Sequence, residues 1–318
     1  MLRTALTDLL SLRAPIVGAP MAGVSGADLA VAVSAGGGLG MLGFASTASG
    51  DAVRTEASRA RSGGHHFGIG LMAWALADHP DQFDAAIESG PALVSVSFGD
   101  ASPWVERLRD AGVPAATQVA DVREAKAAAD CGVSVLVARG AEGGGHGRDA
   151  VGTLPLLQGV LDAVDVPVLA AGGIATARGL AAVLAAGAAG AWIGTALLAC
   201  REAATPPAAR ARVLAADETD TVVTRVFDVA QGIPWPPAYG GRALGNAFER
   251  RWHGREELLA ADEDAAAELG AARDRGDYEV AYVYAGQAVG LVDRERPASA
   301  VVAELAAGAE DLLRQWCG

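Results

Sequence analysis

The chain has 318 residues, 51% of them apolar, which is enough for one large α/β domain with an elaboration, or for two domains. A formal charge of −13 repels polyanions, and no cluster of Lys and Arg interleaved with aromatic residues offsets it, so nucleic acid is excluded as a partner. No stretch combines the length and freedom from charge of a membrane span, and the start lacks the basic region and apolar core of a signal peptide, so a cytoplasmic protein that meets no membrane is expected.

In chain order, residues 15–20 form a short apolar run that ends in Pro20-Met21-Ala22-Gly23, and Ser25 with Asp28 three residues later reads as a helix cap. The Ala-rich helix that follows should close at Gly36, before a second apolar run at 39–42. The same beat recurs, with helix-like stretches closing on Gly90, Gly112, Gly132 and Gly187 and an apolar run a few residues beyond each. Glycine just past a helix end takes the left-handed conformation that stops the helix, so the repeat reads as a helix-to-strand connection.

Strand candidates are 15–19, 39–42, 67–72, 93–97, 115–119, 133–137, 166–170 and 189–193. They are apolar throughout, as expected of a parallel sheet covered by helices, and they alternate with helical segments. Eight β/α units point to a TIM (β/α)8 barrel, where function belongs at the C-terminal strand ends. Gly38-x-Gly40-x-x-Gly43 matches the dinucleotide fingerprint by spacing only: it follows a helix and overlaps a strand instead of opening a helix.

After the sixth strand, residues 138–148 read Ala-Arg-Gly-Ala-Glu-Gly-Gly-Gly-His-Gly-Arg. Three glycines before His146 would let a flat ligand approach the main chain while the imidazole stays at the rim; a flexible surface loop with an incidental histidine is the competing reading. His65 and His66 precede the third strand, at the opposite end, and read as solvated loop residues. Ala170-Ala171-Gly172-Gly173-Ile174 ends the seventh strand, with Thr176 placed to cap the next helix, and Ile193-Gly194-Thr195 ends the eighth. Backbone amides at two such adjacent strand ends form the phosphate site common in these barrels. Cys131, Cys200 and Cys317 lie far apart, form no C-x-x-C pair and read as structural thiols in a reducing compartment.

The beat stops after Thr195. Residues 205–284 differ in composition and lack a strand rhythm, which suggests a mainly helical insertion over the mouth of a barrel made by residues 1–204. Residues 285–318 then return to the barrel and end in a closing amphipathic helix from about 298.

The Glu-Gly-Gly-Gly-His loop, the Ala-Gly-Gly-Ile turn, the Ile-Gly-Thr turn and the late Ala285-Gly286-Gln287 segment resemble the nitronate monooxygenase family, formerly grouped as 2-nitropropane dioxygenases. The resemblance implies a flavin-binding barrel with a helical second domain and FMN as cofactor, its phosphate at Ala171, Gly172, Gly173, Gly194 and Thr195. It further implies that Pro20, Met21 and Ala22 line the flavin ring, that Met72 and Gln118 meet its polar edge or ribityl chain, that Gly144 gives a backbone contact, and that His146 is catalytic. Gly70 stands where many members carry an asparagine, and Gln118 where some carry a lysine. The implied reaction is oxidation of alkyl nitronates by molecular oxygen, with the substrate and oxygen as the small-molecule partners; a homo-oligomer stays open. The same motifs occur in FMN-dependent NAD(P)H reductases of quinones and of enoyl-acyl-carrier-protein thioesters, the competing function, whereas a flavin carrier would have no use for an imidazole beside the reacting edge. For a nicotinamide cofactor, the insertion could supply an adenine site through Trp235, Tyr239 or Arg242.

Overall fold

In the computed structural model, residues 2–317 are described, with the side chains of Trp316 and Cys317 outside that description. Eight parallel strands are β1 (Ile16–Gly18), β2 (Gly40–Gly43), β3 (Phe67–Met72), β4 (Leu93–Ser97), β5 (Ala115–Val119), β6 (Val135–Arg139), β8 (Val168–Ala171) and β9 (Gly190–Ile193). They pair in the order β1-β9-β8-β6-β5-β4-β3-β2. The remaining seam, between β1 and β2, is closed by a Val17–Leu39 bridge in which Gly18 N–H donates to Leu39 O and Leu39 N–H to Ile16 O. The chain is therefore a TIM barrel, as the eight apolar runs predict.

Its strands lack polar alternation because both of their faces are buried. Val135, Val137, Leu169, Ala171 and Trp192 point into the barrel with Val17, Leu39 and Met41, whereas the neighbours Leu136, Ala138, Val168 and Ala170 pack outward against the helices. Period-two geometry sends successive side chains to opposite faces, and in a closed barrel each face is core. The short helix Ala5–Leu10 adds Leu6 and Leu10 to the inner cluster and so plugs the N-terminal end, capped by Thr4, which accepts from Thr7 N–H. The closing helix Ala298–Cys317 packs against helices Ala177–Ala185 and Ala27–Ala35, completing the outer ring.

The glycine rhythm is structural: Gly90, Gly112, Gly132 and Gly187 all have positive φ at helix ends. At the helix Ala27–Ala35 the left-handed residue is Gly37, φ 106°, one position beyond the predicted Gly36. Ser25 does not cap that helix either; its hydroxyl donates to Ala19 O, and the Ala27 N–H at the helix start is met by Glu56 Oε2. The Gly38-x-Gly40-x-x-Gly43 spacing serves packing. A Cβ at Gly38 would lie 2.6 Å from Ile16 O, at Gly40 2.0 Å from Ala30 O, and at Gly43 2.6 Å from the Met21 backbone.

The stretch after β9 is helical over Pro207–Ala215, Val226–Ala230, Ala247–Trp252, Glu256–Leu259 and Glu263–Arg275, and it also contains two strands that its sequence does not announce. These are β10 (Thr221–Thr224) and β11 (Gly240–Leu244), and β11 lies antiparallel between β10 and β7 (Gly145–Gly147) in the Gly-rich loop. Among the described residues no helix is long and apolar enough to cross a membrane.

Candidate active site

The residues singled out at the C-terminal strand ends gather at one mouth. The strands are buried, but exposure begins where they end: Pro20, Met21, Met72, Gln118, Gly144, Gly172, Gly194 and Thr195 are half-buried, Ala22 and Gly173 are exposed, and Ala171 is the last fully covered residue of β8. Gly172 and Gly173 have φ of 105° and 72°, a backbone that L side chains rarely adopt, and Thr176 caps the helix that follows by accepting from Gly179 N–H. A Cβ at Gly173 would meet nothing closer than Glu142 Cβ at 3.8 Å, and one at Gly194 only Met21 Sδ at 3.4 Å and Ala19 Cβ at 3.5 Å. Side chains at these two positions would therefore fill the space in front of the strand ends rather than strike the barrel wall. Two glycine turns and a helix N-terminus facing open space are a donor set suited to a phosphate.

The Gly-rich loop is rigidly built. Arg139, the last residue of β6 and 8% exposed, donates through Nη2 to Gly143 O, Gly144 O and Gly145 O at 2.7, 3.3 and 3.0 Å. Burial, reinforced by the nearby Arg242 charge, lowers the Arg139 guanidinium to about 10. Gly147 is required there, because a Cβ would lie 2.0 Å from Arg139 Nη1. Glu142 accepts from the Thr153 N–H and hydroxyl, and Gly144 backs onto the return segment so closely that a Cβ would lie 2.4 Å from Gly286 N. Gly286 N–H in turn donates to Thr195 Oγ1 at 2.9 Å, which joins the late Ala-Gly-Gln segment to the β9 turn. The flexible-loop reading of residues 138–148 does not hold.

His146 lies on β7, paired in register with Gly241 of β11. Its Nε2 is 2.9 Å from both carboxylate oxygens of Asp228, whose side chain is 3% exposed. A carboxylate only accepts, so Nε2 carries the hydrogen and Nδ1 is the free acceptor of the neutral ring. The Tyr284 hydroxyl donates to Asp228 Oδ1 at 3.1 Å, and burial together with the Asp228 charge raises the tyrosine well above the usual phenol range. Trp235 covers one face of the imidazole, with ring centroids 3.7 Å apart and planes 4° apart. A Cβ at Gly241 would lie 2.6 Å from Tyr284 Cε1, so a glycine is needed where β11 passes under this group.

Asp228, Tyr284 and the stacked position of Trp235 were not legible in the sequence: Asp228 is 82 residues from His146, and no motif spacing marks it. The aspartate's place in an otherwise apolar five-residue stretch, Val226–Ala230, was the available signal. Gly70 has a steric reason, because a Cβ there would lie 2.2 Å from Pro20 Cγ. Pro20 occupies the volume an asparagine would need. Arg242 does not face the mouth as a free cation; it is 7% exposed and donates to Ala141 O, Thr221 Oγ1 and Asp149 Oδ1. His65 and His66 are exposed. Cys131 is half-buried beside Ser102 Oγ, and Cys200 is buried, which pushes its thiol up to about 12; the Cys317 side chain lies outside the described residues.

Comparison with known proteins agrees with this geometry. The family model for nitronate monooxygenase matches residues 3–308. The (3aS,4S,5R,7aS)-5-hydroxy-7a-methyl-1-oxo-octahydro-1H-indene-4-carboxyl-CoA dehydrogenase of Rhodococcus jostii (strain RHA1) is 36% identical over 227 residues, covering 71% of this chain and 64% of that protein. The chain thus spans less than two thirds of that relative. Among solved structures, FabK from Thermotoga maritima superposes with a TM-score of 0.86 at 30% identity, covering 100% of this chain and 99% of its own. Nitroalkane oxidase from Streptomyces ansochromogenes superposes with a TM-score of 0.82 at 32% identity, covering 99% and 100%. With a family model over nearly its whole length and the motif-bearing loops assembled at one barrel mouth, the chain belongs to the nitronate monooxygenase family.

Proposed function

We propose that this chain binds FMN and oxidises alkyl nitronates, together with their parent nitroalkanes, using molecular oxygen. Two nitronates and one dioxygen would yield two carbonyl compounds and two nitrite ions, each carbon gaining one oxygen atom as its bond to nitrogen breaks. The observation that carries the reading is the His146–Asp228 pair at the barrel mouth, with Nε2 held by the carboxylate at 2.9 Å and Nδ1 left as acceptor. An imidazole fixed in that tautomer is suited to take a proton from carbon next to a nitro group, the step a neutral nitroalkane needs and a nitronate has already undergone.

The strand-end glycines support the cofactor. Backbone N–H groups of Gly172, Gly173, Gly194 and Thr195, with Ala171 beneath them, would receive the phosphate, and the Gly144–Gly286 contact would hold the His loop beside it. Pro20, Met21 and Ala22 would support the ring, Pro20 being seated on Gly70; Met72 and Gln118 would approach its polar edge or ribityl chain. Bound there, FMN would supply the electron acceptor that amino-acid side chains lack. Trp235 and Tyr284, packed against His146, would limit the water reaching the reacting carbon.

Anaerobic stopped-flow spectroscopy of the yellow holoenzyme tests the reading. Ethyl nitronate should bleach the flavin, and NADH or NADPH should not. Rapid bleaching by NAD(P)H with no response to nitronates would instead assign a reductase acting on quinones or enoyl thioesters.

A further inference from the structure

We infer that the substrate of this site carries a neutral aromatic group next to its reacting carbon. This rests on the nitronate reading and concerns what lines the same mouth. Trp74 follows β3, Phe98 follows β4, and Trp235 and Tyr239 come from the segment between β10 and β11. They form a continuous wall: Trp74 and Trp235 ring centroids are 5.2 Å apart, Phe98 meets Trp235 edge-on at 5.2 Å and 81°, and Phe98 meets Tyr239 edge-on at 5.6 Å and 80°. Trp235 ties the wall to the imidazole by its stack on His146.

Three features distinguish the wall from ordinary core. Only 5% of the chain is aromatic, and the barrel interior is built from aliphatic side chains with Trp192. Trp74, Phe98 and Tyr239 remain half-buried at the rim, and Phe98 sits at φ 68°, a left-handed conformation that a bulky residue holds only under tertiary constraint. The Trp74 indole N–H is buried without an acceptor among the described residues, which leaves a donor for a polar atom of a ligand.

Charge then selects among substrates. Three arginines around the mouth are engaged: Arg139 with three loop carbonyls, Arg242 with Asp149, and Arg148 with Glu124 at 2.9 Å and Asp121 at 3.8 Å. A second anionic group on the substrate, such as a distal carboxylate, would meet these three guanidinium groups already paired, and Glu124 and Asp121 would oppose it. A neutral ring instead gains contacts with the half-buried rings of Trp74, Phe98 and Tyr239, worth about two- to tenfold in affinity for each well-formed pair.

The test compares kcat/KM of the holoenzyme for the nitronates of phenylnitromethane, nitroethane and 3-nitropropionate. The aryl nitronate should lead the ethyl compound by about tenfold or more, with the carboxylate last, and Phe98→Leu should lower the aryl-to-ethyl ratio. Binding is measured separately, by quenching of tryptophan fluorescence with nitrobenzene, which has no carbon-bound proton next to the nitro group to lose, against nitroethane. Nitrobenzene should bind about tenfold more tightly, and this comparison stands if Phe98→Leu fails to fold. Equal or reversed preference in either series overturns the inference. If no nitronate is oxidised, the proposed reaction fails, and the nitrobenzene comparison alone decides whether the wall receives aromatic ligands.

Discussion

Replacing Asp228 by Asn tests the pairing on which the proposed chemistry depends. The substitution keeps side-chain volume and leaves one oxygen for the Tyr284 hydroxyl, but it removes the charge from two contacts of 2.9 Å to His146 Nε2. Hydrogen bonds to a charged group contribute about 1.5 to 3 kcal/mol, which corresponds to roughly 10 to 150-fold in rate if the interaction is realised only while His146 takes the proton. The amide also presents a donor to the imidazole, which favours the tautomer with hydrogen on Nδ1 and so blocks the base. We expect kcat/KM for neutral nitroethane to fall by about a hundredfold and that for ethyl nitronate by less than about threefold, since the nitronate needs no base. Oxygen consumption by the two substrates, normalised to bound flavin, measures the difference. Dideuterated nitroethane adds a readout that a structural role would not move: its isotope effect should grow as proton removal becomes limiting. Equal losses on both substrates, or an unchanged isotope effect, would refute the base assignment.

Two further substitutions probe the scaffold. Gly70→Asn places a Cβ 2.2 Å from Pro20 Cγ and 2.4 Å from Pro20 Cβ, so it should destabilise the protein by about 1–3 kcal/mol and reduce flavin retention by displacing Pro20; an unchanged melting temperature with full flavin content would contradict this. Cys200, held up to about 12 by burial against an ordinary value of 9.0, remains protonated in the folded chain while the unfolded chain ionises. Its contribution is thus intact below pH 9.0 and declines as pH rises toward about 12, by up to about 1.4 kcal/mol per pH unit. Urea titrations at increasing alkaline pH should show a shallower decline for Cys200→Ala, and parallel declines in the two proteins would refute the assignment.

The barrel was legible because its determinants are local. Each strand is a short apolar run with both faces buried, and most of the helices before them end on a glycine whose left-handed backbone needs no knowledge of the rest of the chain. Boundaries shifted where local signals compete: the sixth strand runs two residues past the predicted Val137 to Arg139, since a buried arginine is intelligible only once the three carbonyls it serves are in place.

By itself, then, the sequence determined the repeat, the end of the barrel at which the candidate site residues gather, and the glycine loops found there. Tertiary structure alone decided what surrounds His146. Asp228 and Tyr284 come from segments 82 and 138 residues away in the chain, brought under the imidazole by the β7–β11 pairing, and Trp235 is laid on its face. Such partners leave no periodic trace, because an acid or a ring in a loop is chosen by the space a distant element leaves for it. Gly70 shows the same rule in reverse: a missing side chain on β3 has its cause in the ring of Pro20, two strands away across the barrel mouth.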